Sequence, residues 1–515
     1  MKRTLISALV LTGMSFTTIA AEQDAFKVKP YLQNPTSSSM TIMWLTTDNK
    51  PGELKVSGEG YTESFTSQPE PATGLQYFPT EVEKYFQGKD QATTPYIHHI
   101  QVSGLKPGTQ YQYSVEQNNQ QYDAQFNTVP TKDGKVRFVV YSDSETEPES
   151  TGKTRRWSEP YGDFDRQYLV DQTVGYQENI RVMFERQPDF IAIAGDLVES
   201  GNEQRDWDEF WRHNAGEFNN IASFVPLFPA IGNHENYPGP DGGLAEYDTE
   251  LAQQAIARYK TYFDVPDNGS NNAAYKDRYY RVDYGPITYI TIDTSDGKPN
   301  KTDKDTNWRL EGVNAPDFNP GSEQYKWLEI QLADAQKNSQ FTFVQFHHIP
   351  YSVGPHGFPT GSNGFEKGED NQSGVPVRVL TPLFEKYGVD AVFAGHDEMY
   401  EHSVVDGIHF YDAGIGGDGL RGPYFGKDGK YNVDMDNPYQ TYLAHLDAPE
   451  VWQGKQLVSG GKHYGHLEVN VFQNDQGQWL TEISPVYVFP IMDTSGKVTD
   501  WERRVYDDVV TLKAE

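Results

Sequence analysis

Five short polar blocks contain the residue types that bind metal ions, and each block follows an apolar, strand-like run. The blocks are Ser142 to Glu145, Gly195-Asp196, Gly232 to Glu235, His347 to Pro350 and Gly395 to Glu398. In an open α/β sheet, the loops at the carboxyl ends of the strands converge on one crevice. We therefore expect Asp, Asn, His and Glu side chains from distant parts of the chain to meet around a pair of metal ions.

At these blocks the chain resembles the calcineurin-like metallophosphoesterases, and within them the purple acid phosphatase group. The pattern of that family runs Asp-x-Gly or Asp-x-His, Gly-Asp, Gly-Asn-His-Asp/Glu, His-x-Pro and Gly-His-x-His. The five blocks occur here in the same order, and the resemblance covers nearly the whole mature chain. A Gly-Asp pair alone is common, whereas the ordered series is specific.

The resemblance implies a ligand role for five matching residues. Asp196 would bridge two metal ions, and Asp143 would hold one of them. Asn233, His348 and His396 would complete the shell of the other. His347 and His348 are adjacent, and successive residues of a strand point to opposite faces, so only one of the two should face the metal. The His-x-Pro spacing favours His348.

The resemblance also implies two histidines that face the substrate. His234 would protonate the leaving group or stabilise the phosphoryl oxygens, and His356 matches the second such histidine of the family. A protonating side chain of this kind contributes about 10²–10⁴-fold to the rate.

Three glutamates depart from the family pattern, and all three fall on the side of the Asp143 metal. Glu145 and Glu398 stand where the wider family has histidine, and Glu199 stands where purple acid phosphatases have a tyrosine ligand. We interpret Glu398 as a ligand, leave Glu145 open between a ligand and a solvated carboxylate, and expect Glu199 not to bind the metal directly. Iron, manganese or zinc are expected as the two metals, with magnesium or calcium as alternatives at this carboxylate-rich position.

The beginning of the chain reads as a cleavable secretory signal over residues 1–21. Lys2 and Arg3 form a basic start, Leu5 to Met14 is too short for a stable membrane anchor, and Ser15 to Ala21 supplies small residues for cleavage. A periplasmic or secreted protein is therefore expected, with an uncleaved anchor as the alternative.

The chain of 515 residues has a formal net charge of −31 at pH 7 and no cysteine. Nucleic acid is not expected as a partner, because phosphate backbones attract Lys and Arg. The acidic balance also motivates the hypothesis that salt stabilises the protein by screening repulsion. The sequence makes no prediction of oligomeric state and predicts no membrane partner.

The expected domain order follows from strand and helix periodicity together with the resemblance. Residues 24–130 resemble the all-β, fibronectin-like sandwich that precedes the catalytic domain in some purple acid phosphatases. Residues 136–490 are expected to form an α/β catalytic domain of two mixed sheets flanked by helices, and 491–515 a C-terminal extension. Predicted helices are Tyr168 to Arg186, Gln324 to Gln336 and Leu383 to Tyr387, and predicted insertions near the site are 236–275, 295–320, 355–375 and 417–463.

The function implied by the resemblance is hydrolysis of small phosphate monoesters by attack of a metal-bound hydroxide. Phosphodiesters or nucleotides are the alternative substrates. A degenerate, non-catalytic metal- or phosphate-binding protein is the alternative of a different class, motivated by the substitutions near Asp143.

Overall fold

The computed structural model describes residues 24–89, 91, 94–152, 154–157, 164–237, 239, 249–295, 315–354, 356–357, 373–417, 437–444 and 448–514. The predicted signal peptide, residues 1–21, lies outside the described residues.

The first part of the described chain forms two four-stranded antiparallel sheets. Their strands are β1 (Phe26–Gln33), β2 (Ser39–Thr46), β3 (Gly52–Gly58), β4 (Tyr61–Ser67), β5 (Glu70–Pro71), β6 (Tyr96–Ser103), β7 (Gln110–Gln117) and β8 (Gln120–Asn127), with helix α1 (Pro79–Phe86) between β5 and β6. Alternate residues of β3 are buried, as expected of a strand with one face in a core. The β-sandwich core contains Trp44, Leu54 and Tyr111.

The larger part of the chain is built on two seven-stranded mixed sheets. The first sheet has the order β13-β12-β9-β23-β24-β25, with β26 also pairing with β24, and the second has the order β14-β15-β16-β17-β19-β18-β20. The strands are β9 (Val136–Tyr141), β10 (Thr154–Trp157), β11 (Phe164–Gln167), β12 (Phe190–Ile193), β13 (Leu227–Pro229), β14 (Tyr280–Tyr284), β15 (Ile287–Thr291), β16 (Phe341–His348), β17 (Ala391–Gly395), β18 (Tyr400–Val405), β19 (Ile408–Ala413), β20 (Gln440–Leu443), β21 (Ala448–Gln453), β22 (Gln456–Gly461), β23 (Tyr464–Gln473), β24 (Trp479–Met492), β25 (Val498–Val505) and β26 (Val510–Lys513).

Five α-helices accompany the two sheets in the described part of the chain: α2 (Gln172–Glu185), α3 (Gln204–Ala215), α4 (Thr249–Tyr262), α5 (Glu323–Asn338) and α6 (Thr381–Tyr387). Helices α2, α5 and α6 occur where the apolar periodicity predicts them. Helix α2 begins four residues later than predicted, because the Asp171 side chain accepts a hydrogen bond from Val174 N and caps the helix.

Two helices and one sheet edge are not anticipated by the sequence. Helix α3 buries charged residues such as Arg205 and Glu209. These residues interrupt the apolar periodicity by which a helix is predicted from sequence. Helix α4 lies inside the stretch 236–275, which is predicted as an insertion. The predicted extension 491–515 supplies β25 and β26 to the first sheet. The predicted insertions 295–320 and 355–375 fall largely outside the described residues, whereas 417–463 contains β20, β21 and β22.

Parallel strands at the centre of each sheet direct the polar blocks toward one edge. Strands β9, β12 and β13 are parallel in the first sheet, and β15, β16, β17 and β19 are parallel in the second. The sheets pack face to face through aromatic rings, with Phe138 lying 5.4 Å from Phe343 and 6.3 Å from Phe393 between ring centroids. This arrangement confirms the predicted fold class, and no helix among the described residues is long and apolar enough to cross a bilayer.

Candidate active site

Two buried aspartates follow neighbouring strands of the first sheet. Asp143 comes after β9 and Asp196 after β12, and both adopt the left-handed backbone conformation, with φ of 56° and 51°. The backbone N–H of Asp143 donates to Gly195 O at 3.2 Å, and that of Glu145 donates to Asp196 O at 3.0 Å. These bonds join the two loops and bring the carboxylates to the same edge of the sheet.

Glycines within the blocks allow the carboxylates to lie against the neighbouring backbone. A Cβ atom on Gly232 would lie 2.0 Å from Asp196 Oδ1, and one on Gly395 would lie 2.0 Å from Asp143 Oδ2. A side chain at either position is therefore excluded unless the carboxylate moves.

Three possible ligand atoms from the two sheets lie close together, and Asp196 supplies one of them. His347 Nε2 lies 2.7 Å from Asp196 Oδ2 and 3.1 Å from His396 Nδ1. A second set shares Asp196 and adds Glu145 and His234, and within each set the ligand atoms lie within 4.8 Å of one another. Asp196 is thus common to both sets, which is the geometry a bridging carboxylate requires.

Of the two adjacent histidines, His347 belongs to the first of these two sets. His347 Nδ1–H donates to Ala194 O at 3.0 Å, at the end of the first sheet, and Gln345 likewise reaches a carbonyl oxygen of β13. His348 Nδ1 instead shares a hydrogen bond of 2.8 Å with Thr294 Oγ1 in the second sheet. The His348 ring nevertheless lies 4.6 Å from that of His396 between centroids, and its predicted role as a ligand stays a prediction.

Asn233 provides a direct test of whether these residues fit a metal. Its Nδ2–H donates to Tyr237 Oη at 2.7 Å, whereas its buried Oδ1 has no hydrogen-bond partner among the described residues. A buried carbonyl oxygen without a partner is costly. A cation at this position would satisfy it, and the donor set of carboxylate, amide oxygen and imidazole is one that divalent metals accept.

Asp143 and Glu398 lie beside each other at the carboxylate-rich side of the site. His396 N donates to Asp143 Oδ1 at 3.0 Å. The position that a Gly414 Cβ would occupy is 2.7 Å from Asp143 Oδ2 and 2.8 Å from Glu398 Cα. Neither residue belongs to the two sets of ligand atoms described above, although both are buried next to them.

Electrostatic interactions divide the histidines into charged and neutral groups. Burial lowers the pKa of His347, but the Asp196 and Asp143 carboxylates outweigh it and raise the pKa to about 9. Burial holds the pKa of His348 and of His396 well below the ordinary value. A neutral imidazole is the form that binds metal, so His396 is already in its ligating state. His347 would have to release a proton when a metal ion binds, because metal ligands must be deprotonated.

His234 is placed as a proton donor. Its Nδ1–H donates to Glu199 O at 2.8 Å, and its Nε2 lies 3.6 Å from Glu145 Oε1. Burial lowers the pKa of His234, but Asp196, Glu145 and Glu199 outweigh it and raise the pKa to about 10. Glu199 therefore contributes its backbone carbonyl, while its side chain is half-buried.

The sequence gives Glu235 no role, yet the structure places it behind the metal-binding loops. Its carboxylate accepts hydrogen bonds from the backbone N–H groups of Asp196 at 3.0 Å, Leu197 at 2.8 Å and Gly232 at 2.7 Å. One buried side chain therefore fixes two ligand loops relative to each other. Its position next to Asn233-His234 is the only sequence signal for this role.

His356 lies at the opposite side of the cluster. Its ring centroid is 3.7 Å from that of His396, and its Nδ1 is 2.6 Å from Asp397 Oδ1. The structure thus brings His356 beside a candidate ligand, as the sequence predicts for a residue that faces the substrate.

Comparison with known proteins agrees with this geometry. Residues 136–399 match the model of the calcineurin-like phosphoesterase family, and residues 26–130 match the N-terminal domain of purple acid phosphatases. Purple acid phosphatase PPD1 from yellow lupin seeds superposes with a TM-score of 0.57 at 18% identity, over 92% of this chain and 73% of that one. The structure of PhoD gives a TM-score of 0.57 at 12% identity, over 95% and 91% of the two chains.

Relatives found by sequence comparison match only part of this chain and part of their own length. An uncharacterised protein of Mycobacterium tuberculosis is 26% identical over 71% of this chain and 60% of its own length. The Arabidopsis thaliana protein named "probable inactive purple acid phosphatase 27" is 26% identical over 60% of this chain and 44% of its own length. The chain thus spans no more than about 60% of the length of these relatives. By its matching model and its fold, the chain belongs to the calcineurin-like phosphoesterase family, whose members bind divalent metal ions and act on phosphate esters.

Proposed function

We propose that this protein hydrolyses small phosphate monoesters at a pair of metal ions. The proposal is carried by the convergence of Asp196, His347 and His396, together with the buried Oδ1 of Asn233, which has no hydrogen-bond partner among the described residues. The proposed metal-binding residues are Asp143, Asp196, Asn233, His347, His396 and Glu398, with His348 and Glu145 as further candidates.

The metal pair, when bound, would neutralise the phosphoryl oxygens and lower the pKa of the attacking water. The protein's own contribution begins at His234. Because its Nδ1–H is held by Glu199 O, Nε2 is the nitrogen that can donate a proton to the leaving oxygen. The raised pKa of His234 keeps that proton in place at neutral pH. His356 would orient the phosphoryl group from the other side.

Monoesters are favoured over phosphodiesters and nucleotides because the chain carries the N-terminal domain typical of purple acid phosphatases. A monoester with two negative charges also gains more electrostatic stabilisation from two cations and two histidines than a phosphodiester does. A non-catalytic binding protein is the second candidate, since some relatives are named inactive. A periplasmic or secreted location is proposed from the basic and apolar start of the chain.

The test is hydrolysis of p-nitrophenyl phosphate and of bis(p-nitrophenyl) phosphate by the full chain loaded with Mn²⁺, Fe²⁺ or Zn²⁺. We expect metal-dependent turnover, faster for the monoester. His234→Ala should lower kcat/KM by about 10²–10⁴-fold with unchanged metal content. His99→Ala, at an exposed position in the β-sandwich, is the matched control. Absence of metal-dependent turnover in the wild type would favour the binding protein.

A further inference from the structure

Asp397 lies in sequence between two proposed metal ligands, His396 and Glu398, and its side chain binds a different segment of the chain. The carboxylate is fully buried. Oδ1 accepts from His356 Nδ1 at 2.6 Å and from His356 N at 3.0 Å, and Oδ2 accepts from Gly357 N at 3.3 Å. All of these bonds go to the segment that contains His356.

We propose that Asp397 is a positioning residue for His356, fixing the ring and its tautomer so that Nε2 is presented to the substrate. The proposal rests on the proposed function, because it assigns His356 to the phosphate ester. Neither metal binding nor substrate binding gives Asp397 a role, so the positioning role adds a residue to the proposed site.

The approach of Asp397 to this segment depends on Gly354. A Cβ atom at Gly354 would lie 2.3 Å from Asp397 Cγ and 2.4 Å from its Oδ2. Only a residue without a side chain permits the carboxylate to reach the backbone N–H groups beyond it. The close approach of Asp397 to position 354 therefore requires a glycine at that position.

Two further charged side chains hold the same segment. Glu401 Oε2 accepts from Val353 N at 2.8 Å, and Arg378 donates to Pro350 O and to Gly357 O, both at 2.7 Å. Buried ionic groups are costly unless they are fully hydrogen-bonded. Asp397 and Glu401 are buried and Arg378 is half-buried, and all three are hydrogen-bonded to the backbone of this segment.

The contact also determines which nitrogen of His356 is available. An ionised carboxylate only accepts hydrogen bonds, so Nδ1 must carry the proton that Asp397 receives. Nε2 is left as the nitrogen that can interact with a phosphoryl oxygen. The His356 side chain retains 19% exposure while Asp397 is fully buried, so the ring, and not the carboxylate, is accessible.

The experiment is a double-mutant cycle on the full, Zn²⁺-loaded chain, with p-nitrophenyl phosphate as substrate. Asp397→Asn should lower kcat/KM by about 10–100-fold, the usual effect of removing a residue that orients a functional histidine. Its metal content should match that of the wild type. In the His356→Ala background, Asp397→Asn should have no further effect.

Loss of metal in Asp397→Asn, or an equal effect with and without His356, would overturn the proposal, because Asp397 would then act on the metal-binding loop. Asp397→Glu, which keeps the carboxylate, should recover part of the activity if the chain adjusts. Asp390→Asn, at the far end of β17, serves as the matched control and should leave kcat/KM unchanged.

A readout independent of activity is the ¹⁵N spectrum of the imidazoles, with the His356 signals identified by their absence in His356→Ala. We expect the Nδ1-protonated tautomer in the wild type and a changed tautomer population in Asp397→Asn. An Nε2-protonated His356 in the wild type would overturn the positioning role even if turnover is normal. Conversely, absent turnover with the expected tautomer would contradict the proposed function alone.

Discussion

Glu398 follows His396 by two residues, and its backbone lies beside the Asp143 carboxylate. Where the family pattern has an imidazole, this chain has a carboxylate, which we propose as an oxygen ligand. Carboxylate oxygen favours hard ions over zinc. At the scale of single residues, the chemistry of the site differs from the family pattern most at this position.

Replacement of Glu398 should separate the two metal positions. Glu398→Ala is expected to lose one of two metal equivalents, because the Asp143 side loses an oxygen ligand, and hydrolysis should fall with it. Glu398→His should keep two metal equivalents and shift the metal preference of this position toward zinc. Elemental analysis of protein loaded with equal Mn²⁺ and Zn²⁺ measures this. The exposed Glu385→Ala is the control, and equal metal content in Glu398→Ala and wild type would contradict the assignment.

At the scale of elements, the site depends on how closely the ends of parallel strands approach one another. Strand β17 ends at Gly395, directly against the Asp143 carboxylate that follows β9 of the other sheet. The His396 N–H completes this contact by donating to Asp143. At this point of the site, the backbone of one sheet therefore lies directly against a carboxylate of the other.

Gly395→Ala should break this contact. The new methyl group would lie 2.0 Å from Asp143 Oδ2 and 2.2 Å from Ser142 Oγ, so the strand end must shift. We expect about 1–3 kcal/mol of lost stability and reduced metal content. Urea unfolding and elemental analysis test both effects. Gly74→Ala, where nothing lies within 4 Å, is the matched control, and equal behaviour of the two variants would contradict the expectation.

The β-sandwich contains a buried imidazole that predicts its response to acid. His98 stacks on Trp44 with ring centroids 4.7 Å apart, and its Nδ1 has no hydrogen-bond partner among the described residues. Burial lowers the pKa of His98 from 6.5 to about 4, although Asp48 opposes the shift. The folded sandwich therefore holds His98 neutral where the unfolded chain would protonate it.

Stability should accordingly fall as the pH decreases from 6.5 toward 4, because the unfolded chain binds a proton that the folded chain does not. The contribution of His98 is at most about 3 kcal/mol over this interval. His98→Phe keeps the stacking on Trp44 and should remove this part of the slope. Urea unfolding of both proteins at several pH values measures it, and parallel slopes would show that His98 does not contribute.

At the scale of the whole molecule, the sandwich is tied to the catalytic part by buried hydrogen bonds. Tyr31 Oη donates to Tyr262 O at 2.9 Å, and Tyr113 Oη donates to Ser223 O at 2.7 Å. Lys27 also pairs with Asp208 on α3 at 2.7 Å. The sandwich therefore packs on α3 and α4, the two helices that the sequence did not reveal.

The formal charge of −31 makes the whole protein sensitive to salt. At pH 7, Tm should rise by several degrees between dilute buffer and about 0.5 M NaCl, because salt shortens the screening length between like charges. The same series near pH 4.7, the sequence pI, should show a much smaller rise. Equal salt effects at both pH values would show that charge repulsion is not the cause.

The types of the site residues and their places at strand ends were predictable from the sequence. Asp143, Asp196, Asn233, His234 and His396 all follow buried strands, and Asp196, His234 and His396 supply atoms to the two sets of possible ligands. Parallel strands oblige such residues to share one edge of the sheet. The locally encoded helices α2, α5 and α6 were predictable for a related reason, since apolar periodicity depends only on nearby residues.

Only the tertiary structure shows that His347, of the two adjacent histidines, is the one that contacts Asp196. His347 and His348 lie on a strand buried on both sides, so alternation shows that one faces inward but not which one. Asp397 and Glu235 accept hydrogen bonds from backbone N–H groups that are distant in sequence or lie in the adjoining loop. Their roles follow from these contacts. Such contacts depend on how the sheets and loops pack against each other, and no local pattern of residues records that packing.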